Sequence, residues 1–271
     1  MQKIEHLTEI LKSFGSALVA FSGGVDSTFL LKVARDALGE RVTALTAVSA
    51  SIPEHELEEA KKLAAQIGVR HLLINSTETE DPRYIANPTN RCYYCKSELY
   101  RICNEVAERE GVVVLDGVNL DDLGDHRPGR QAAAEAKVRS PLVEARFTKA
   151  EIREASKALG LPTWDKPQLA CLASRFPYGT SVTPERLTKV GRAEAVVRGV
   201  GLRQFRVRFH EQIARVEVDA SEFSKLFDVE VRERIVSGIK EVGFTFVVLD
   251  LEPFRSGRLN EAAGIPKRLE L

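Results

Sequence analysis

Residues 22–27 read Ser22-Gly23-Gly24-Val25-Asp26-Ser27, and their flanks leave few ways to fold the first part of the chain. The apolar run Ala17-Leu18-Val19-Ala20-Phe21 before them has the composition of a buried strand. Thr28-Phe29-Leu30-Leu31-Lys32-Val33-Ala34 behind them has helical spacing. A strand, a glycine turn and a helix start make an anion cradle, because glycine lets backbone N–H groups come close and the helix N-terminus adds positive partial charge. The hydroxyls of Ser22 and Ser27 can donate to phosphate oxygens, while Asp26 can hold Mg²⁺ or cap the helix. There is no Gly-Lys-Ser/Thr ending and no G-x-G-x-x-G, which excludes the usual P-loop and the dinucleotide fingerprint. A capped tight turn without a ligand is the plain alternative.

Strand and helix signals alternate onward to about residue 160. Arg41–Val48, His71–Ile74 and Val112–Leu115 read as strands; Pro53–Ile67, Cys95–Glu110 and Lys149–Leu159 read as helices. Ile4, Leu7, Ile10 and Leu11 add a short amphipathic helix at the start. The expected fold class is α/β, a doubly wound parallel sheet with ligands outside the carboxyl ends of its strands. The Ser22 loop and the Asp116-Gly117 turn then face one crevice, which brings Gly117 into the candidate phosphate site. From about residue 183 a helix to Arg198, strands Phe205–Phe209 and Ile213–Val218, a helix Val229–Val242 and a strand Phe244–Leu251 make a smaller α+β unit. Domains are expected at 1–178 and 179–271, joined through residues 161–182, which read as a mobile segment.

At 271 residues there is ample chain for a core, and 39 Lys+Arg balance 39 Asp+Glu. With zero net charge, no global field draws nucleic acid. Apolar runs are too short for a membrane span and no signal-peptide pattern opens the chain, so a cytoplasmic location is expected. Four cysteines, two in a C-x-x-C, fit metal or redox chemistry in a reducing compartment better than a disulfide scaffold.

Cys171 lies in the linker beside Arg175, a setting that favours a reactive thiolate; a small buried apolar residue is the bland reading. Cys92 and Cys95 form the C-x-x-C, with a structural zinc site that includes His126 as one alternative. Cys103, inside a helix, reads as core. Between Arg186 and Arg215 stand eight Lys/Arg against two Glu. Arg206 and Arg208 share a strand face by the period of two and suit a phosphate or carboxylate, unless that face is simply solvated. Asp121, Asp122 and Asp125 either cap a turn or bind Mg²⁺.

The Ser22–Ser27 hexapeptide resembles the pyrophosphate loop of the N-type ATP pyrophosphatases, the PP-loop superfamily. Together with Asn90-Arg91-Cys92-Tyr93-Tyr94-Cys95-Lys96, Asp116-Gly117-Val118-Asn119-Leu120-Asp121-Asp122 and Ala170-Cys171-Leu172-Ala173-Ser174-Arg175, it is similar to the LarE sulfur transferases over nearly the whole chain. That resemblance implies ATP-dependent adenylation of the carboxylates of pyridinium-3,5-biscarboxylic acid mononucleotide and their conversion to thiocarboxylates, for the nickel-pincer nucleotide cofactor of lactate racemase. Asp26 would hold Mg²⁺; Arg175, Glu194, Arg206, Arg208 and Glu217 would contact the mononucleotide. In one branch of the family a single cysteine at the position of Cys171 gives up its own sulfur. In the other, three cysteines hold a [4Fe–4S] cluster with one open iron, and Cys92, Cys95 and Cys171 supply that count. A homo-oligomer and a sulfide source or sulfur carrier are further expectations. A tRNA thiolase and a non-catalytic ATP sensor are the competing functions.

Overall fold

Four parallel strands form the first layer of the computed structural model, which describes residues 2–123, 128–167, 171–255 and 257–265. They are β1 (Ala17–Ala20), β2 (Val42–Val48), β3 (Arg70–Asn75) and β4 (Val113–Leu115), in the order β3-β2-β1-β4. Side chains alternate across this sheet, so each face receives its own core. Ala17, Val19, Ala44 and Leu115 pack on α1 (Gln2–Phe14), α2 (Val25–Leu38) and α3 (Glu54–Ile67). Leu18, Leu45 and Val114 face the other way. After the single turn α4 (Pro82–Ile85), the long helix α5 (Arg91–Glu110) covers that second face with Ile102, Cys103 and Val106. The short α6 (Gly129–Glu135) and α7 (Pro141–Glu144) lead to α8 (Lys149–Ala158), whose Ile152 returns to the first core. Thr148 and Glu151 close a reciprocal capping box that fixes where α8 begins. The doubly wound sheet expected from the alternation is therefore present.

The second layer begins with α9 (Pro184–Gly199), capped by Thr183 with Pro184 in its first turn. Strands β5 (Phe205–His210) and β6 (Ile213–Val218) pair antiparallel, with Arg206 opposite Glu217 and Arg208 opposite Arg215. After α10 (Val229–Glu241), β7 (Phe246–Leu249) joins β6 in parallel, and α11 (Arg258–Ala262) follows. Phe205, Val207 and Phe209 point into a core built with α9 and α10. Leu172, Ala173 and Phe176 belong to that same core, as does Tyr84 from the first half of the chain.

Three local expectations change. α5 starts at Arg91 rather than Cys95, so Cys92 and Cys95 lie one turn apart on a helix face. β7 is shorter than Phe244–Leu251, because Phe244 turns into the core at 2% exposure. The stretch from Cys171 to Val182 is strapped down rather than mobile. Leu172 N donates to Ser51 O at 2.9 Å and Val182 N to Ile85 O at 2.9 Å. Asn87, wholly buried and at φ 54°, donates from Nδ2 to Pro177 O and Thr180 O at 2.8 and 2.9 Å.

Candidate active site

β1 delivers the Ser22 loop to the carboxyl end of the sheet, between β2 and β4. Gly24 occupies the N-cap of α2 in an extended conformation and no side chain caps the helix, so its first amides are left for an anion. Gly23 adopts φ +69°, and a Cβ there would stand 3.0 Å from the Ala60 Cβ. Gly117 fits against the loop so closely that a Cβ would lie 3.0 Å from Ser27 N. The Ser22 and Ser27 hydroxyls meet at 3.1 Å. Asp116 holds this turn, accepting from Tyr100 Oη at 3.0 Å and Ser140 Oγ at 2.7 Å.

Asp26 does not cap α2: it sits inside the first turn. Its Oδ2 pairs with Lys149 Nζ and its Oδ1 accepts from Asn119 Nδ2 at 3.3 Å. Lys166 Nζ reaches Gly23 O at 3.3 Å while pairing with Glu56 at 2.7 Å and Glu59 at 2.8 Å. Sequence reading missed Lys149, Asn119 and Lys166. Lys149 carried a signal, since a cation opening a helix opposes the helix dipole and implies a carboxylate elsewhere. Asp121 accepts from Lys149 N at 2.7 Å and Asp122 from Asn119 N at 3.1 Å, so both cap turns. Asp125 and His126 lie outside the described residues.

The cysteines converge from two elements. Cys171 and Cys95 both pack against the second core, and Cys171 lies within electrostatic reach of Cys92. Burial pushes the Cys171 thiol up, against the pull of Arg91 and Arg175. Burial, Glu78 and Cys171 push the Cys95 thiol well above its ordinary value. At Cys171, burial therefore works against the thiolate that the neighbouring Arg175 favours. Among the described residues, no three His, Cys, Asp or Glu side chains stand close enough to hold a metal ion. Cys103 is fully buried, its thiol pushed up to about 12 by burial, and is core.

Arg175 bonds the Cys171 carbonyl rather than its sulfur, from Nη1 at 3.1 Å. Its Nε and Nη2 reach Glu194 at 2.8 and 2.9 Å, both residues almost wholly buried. Glu194 also accepts from Val207 N at 3.1 Å. On the opposite face of β5, Arg208 holds Glu217 at 2.7 Å and donates to Ser174 O at 2.7 Å. Arg206 lies over the Phe254 ring at 4.6 Å, and burial, with Arg175 nearby, lowers it to about 9. This strand face is buried, not solvated. Arg215 and Arg258 also approach Glu217, at 3.0 and 3.6 Å, and both meet Asp250 as well, at 3.6 and 2.9 Å, so arginines and carboxylates interleave on the outer face of the small sheet.

The sequence profile of asparagine synthase matches residues 8–160, the span that carries the sheet and the loop. An uncharacterized protein of Synechocystis sp. is 48% identical over 95% of this chain and 97% of its own length. The pyridinium-3,5-bisthiocarboxylic acid mononucleotide synthase of Lactiplantibacillus plantarum is 38% identical over 94% of this chain and 92% of its own. A GMP synthase of Aeropyrum pernix is 28% identical over 72% of this chain, but over only 42% of that enzyme. With a pyrophosphate loop open at the strand ends and full-length similarity to a thiocarboxylate-forming synthase, the chain belongs to the LarE family of ATP-dependent sulfur transferases within the PP-loop superfamily.

Proposed function

We propose that the chain adenylates the carboxylates of pyridinium-3,5-biscarboxylic acid mononucleotide and replaces each AMP with sulfur, giving thiocarboxylates for a nickel-pincer nucleotide cofactor. The observation that carries this reading is the placing of two chemistries on one chain: an open phosphate cradle at Ser22–Ser27 and a cysteine convergence at Cys92, Cys95 and Cys171. A substrate carboxylate oxygen attacks the α-phosphorus of ATP, and the electron pair of the breaking P–O bond leaves with pyrophosphate. The amides at the α2 N-terminus and the Ser22 and Ser27 hydroxyls stabilise that charge where it develops. Asp26 is the carboxylate that would hold Mg²⁺, which screens the phosphates. Lys149 provides a cation at the same place.

Sulfur then attacks the activated carbonyl carbon and the C–O bond to AMP breaks. Cys92, Cys95 and Cys171 are the right donors in type and number for three irons of a [4Fe–4S] cluster, although they are not gathered at ligand spacing here. Such a cluster would present sulfide at its open iron and spare the protein's own sulfur. Arg206 and Arg208, with Arg175, Glu194 and Glu217 arranging them, form the cationic face proposed for the mononucleotide phosphate. The domain division at 1–178 and 179–271 goes with this split of tasks. Self-association is part of the reading, because β7 is an edge strand exposing Phe246 and Leu249. No described helix is long and apolar enough to cross a membrane.

The test is product analysis of ATP turnover with and without the dicarboxylate mononucleotide. AMP and pyrophosphate are expected only when it is present. ADP as product, or turnover stimulated by tRNA instead, would overturn the proposal.

A further inference from the structure

In a planar trans peptide the carbonyl of one residue and the amide of the next point in opposite directions. The Ser22 amide donates to Ser27 Oγ at 3.3 Å, and the Gly24 amide to Ser22 Oγ at 3.4 Å. These two bonds help to place the hydroxyls that meet at 3.1 Å in the cradle. The carbonyls of the same two peptides, Phe21 O and Gly23 O, therefore point away from those hydroxyls. Each is held there by a side chain from another part of the chain.

Thr46, on β2 and 4% exposed, donates from Oγ1 to Phe21 O at 2.6 Å. A hydroxyl has one proton to give, so Thr46 accepts in its second bond, from His71 Nε2 at 2.8 Å. The His71 ring also meets the Phe21 ring edge-on, with centroids 5.5 Å apart. Lys166, in the segment after α8, reaches Gly23 O at 3.3 Å. Its ammonium is oriented by Glu56 at 2.7 Å and Glu59 at 2.8 Å, both on α3. The same helix presents Ala60 so close to Gly23 that no side chain fits between them. Two clamps from different elements thus act on alternate peptides of one loop.

We propose that Thr46 and Lys166 are positioning residues of the phosphate cradle. By holding the Phe21 and Gly23 carbonyls from behind, they aim the Ser22 and Gly24 amides, and through them both serine hydroxyls, at the pyrophosphate. His71 serves by fixing the direction of the Thr46 hydroxyl, and Glu56 by fixing the Lys166 ammonium. The role in turnover rests on the adenylation reading; the effect on pyrophosphate binding does not.

Calorimetric titration of the full-length protein with magnesium pyrophosphate tests the clamps without turnover. Thr46→Val, which keeps the shape and loses the hydroxyl, should raise the Kd about tenfold, and Thr46→Ser should restore most of it. Lys166→Met also leaves Glu56 unpaired near the loop, so the double variant Glu56→Gln/Lys166→Met separates repulsion from lost aim. It too should bind about tenfold more weakly, whereas wild-type affinity in the double variant would overturn the part given to Lys166. In turnover, the KM for ATP should rise with the Kd while that for the dicarboxylate mononucleotide stays unchanged. Equal rises in both constants would mark a general folding role and overturn the proposal. Wild-type pyrophosphate affinity in Thr46→Val, even with a lower unfolding midpoint, would overturn the part given to Thr46. Should Thr46→Val not fold, the lysine variants still decide, since their clamp is built from different elements. A wild-type protein that binds pyrophosphate but forms no AMP would sink the adenylation reading while leaving the clamps in place.

Discussion

Arg175 and Glu194 face each other in a two-point ion pair, Nε to Oε1 at 2.8 Å and Nη2 to Oε2 at 2.9 Å, both almost entirely out of water. The remaining nitrogen of Arg175 holds the Cys171 carbonyl, and Glu194 holds the backbone of β5 at Val207. One pair therefore fixes the cysteine turn to the small sheet. Removing either partner leaves an uncompensated buried charge. Arg175→Met and Glu194→Leu should each lower the unfolding free energy by about 3–5 kcal/mol, and the double variant should recover much of that. Chemical denaturation of the four proteins measures it; simple additivity would refute the coupling.

Gly117→Ala tests the close approach of two turns. The added Cβ would lie 3.0 Å from Ser27 N and 3.2 Å from Ser27 Cα, both backbone atoms of the helix start. The loop must move to relieve this, so its amides lose their aim. The KM for ATP should rise while the far-UV spectrum stays that of the wild type.

His71 and His210 set a pH dependence whose sign can be worked out. Burial holds both below the ordinary histidine value of 6.5, with Lys61 adding to it at His71 and Arg215 at His210. The unfolded chain takes up a proton near 6.5, and the folded chain only at lower pH. Folding stability should therefore be unaffected by these groups well above 6.5 and fall as pH drops through 6.5 toward the folded values. Denaturant midpoints at pH 7.5 and 5.5 should differ less in His71→Gln and His210→Gln than in the wild type.

How far the sequence could be read follows from the range of the interactions involved. The parallel sheet, the Ser22 loop and the facing Gly117 turn were legible because each depends on local pattern: apolar runs, glycines and helix starts. The start of α5 was missed because Asn90 gives no side-chain cap bond there. Lys149 and Lys166 stayed hidden because their partners, Asp26 and Glu56, lie 123 and 110 residues away. Arg206 and Arg208 were legible as a cationic pair and Arg175 as the neighbour of Cys171, but none of them as a buried charge tied into β5 and β6. Their burial depends on the 171–176 turn folding onto the small sheet, which no local period reports.

Lys149→Met removes the cation that meets Asp26 beside the phosphate loop. Carboxylate-dependent pyrophosphate release should fall, on the order of 10²-fold if Lys149 stabilises charge developing on the phosphates. A kcat near that of the wild type, with only the KM for Mg²⁺ changed, would assign Lys149 to holding Asp26 instead.

Cys92, Cys95 and Cys171 give the last and most divisive prediction. Cys92 is exposed at the start of α5, Cys95 lies one helical turn further on, and Cys171 lies within electrostatic reach of both from the strapped turn. If the three act together on one cluster, Cys92→Ala, Cys95→Ala and Cys171→Ala should each lower iron content and sulfur transfer together. The anaerobically purified wild-type protein should turn over more than once with sulfide. If Cys171 instead gives up its own sulfur, Cys92→Ala should be nearly silent, because that thiol would have no role in the transfer. The spent protein would then carry dehydroalanine at position 171, lighter than cysteine by one hydrogen sulfide. Intact-mass measurement after a single reaction separates the two, since a cluster-dependent protein leaves its chain mass unchanged.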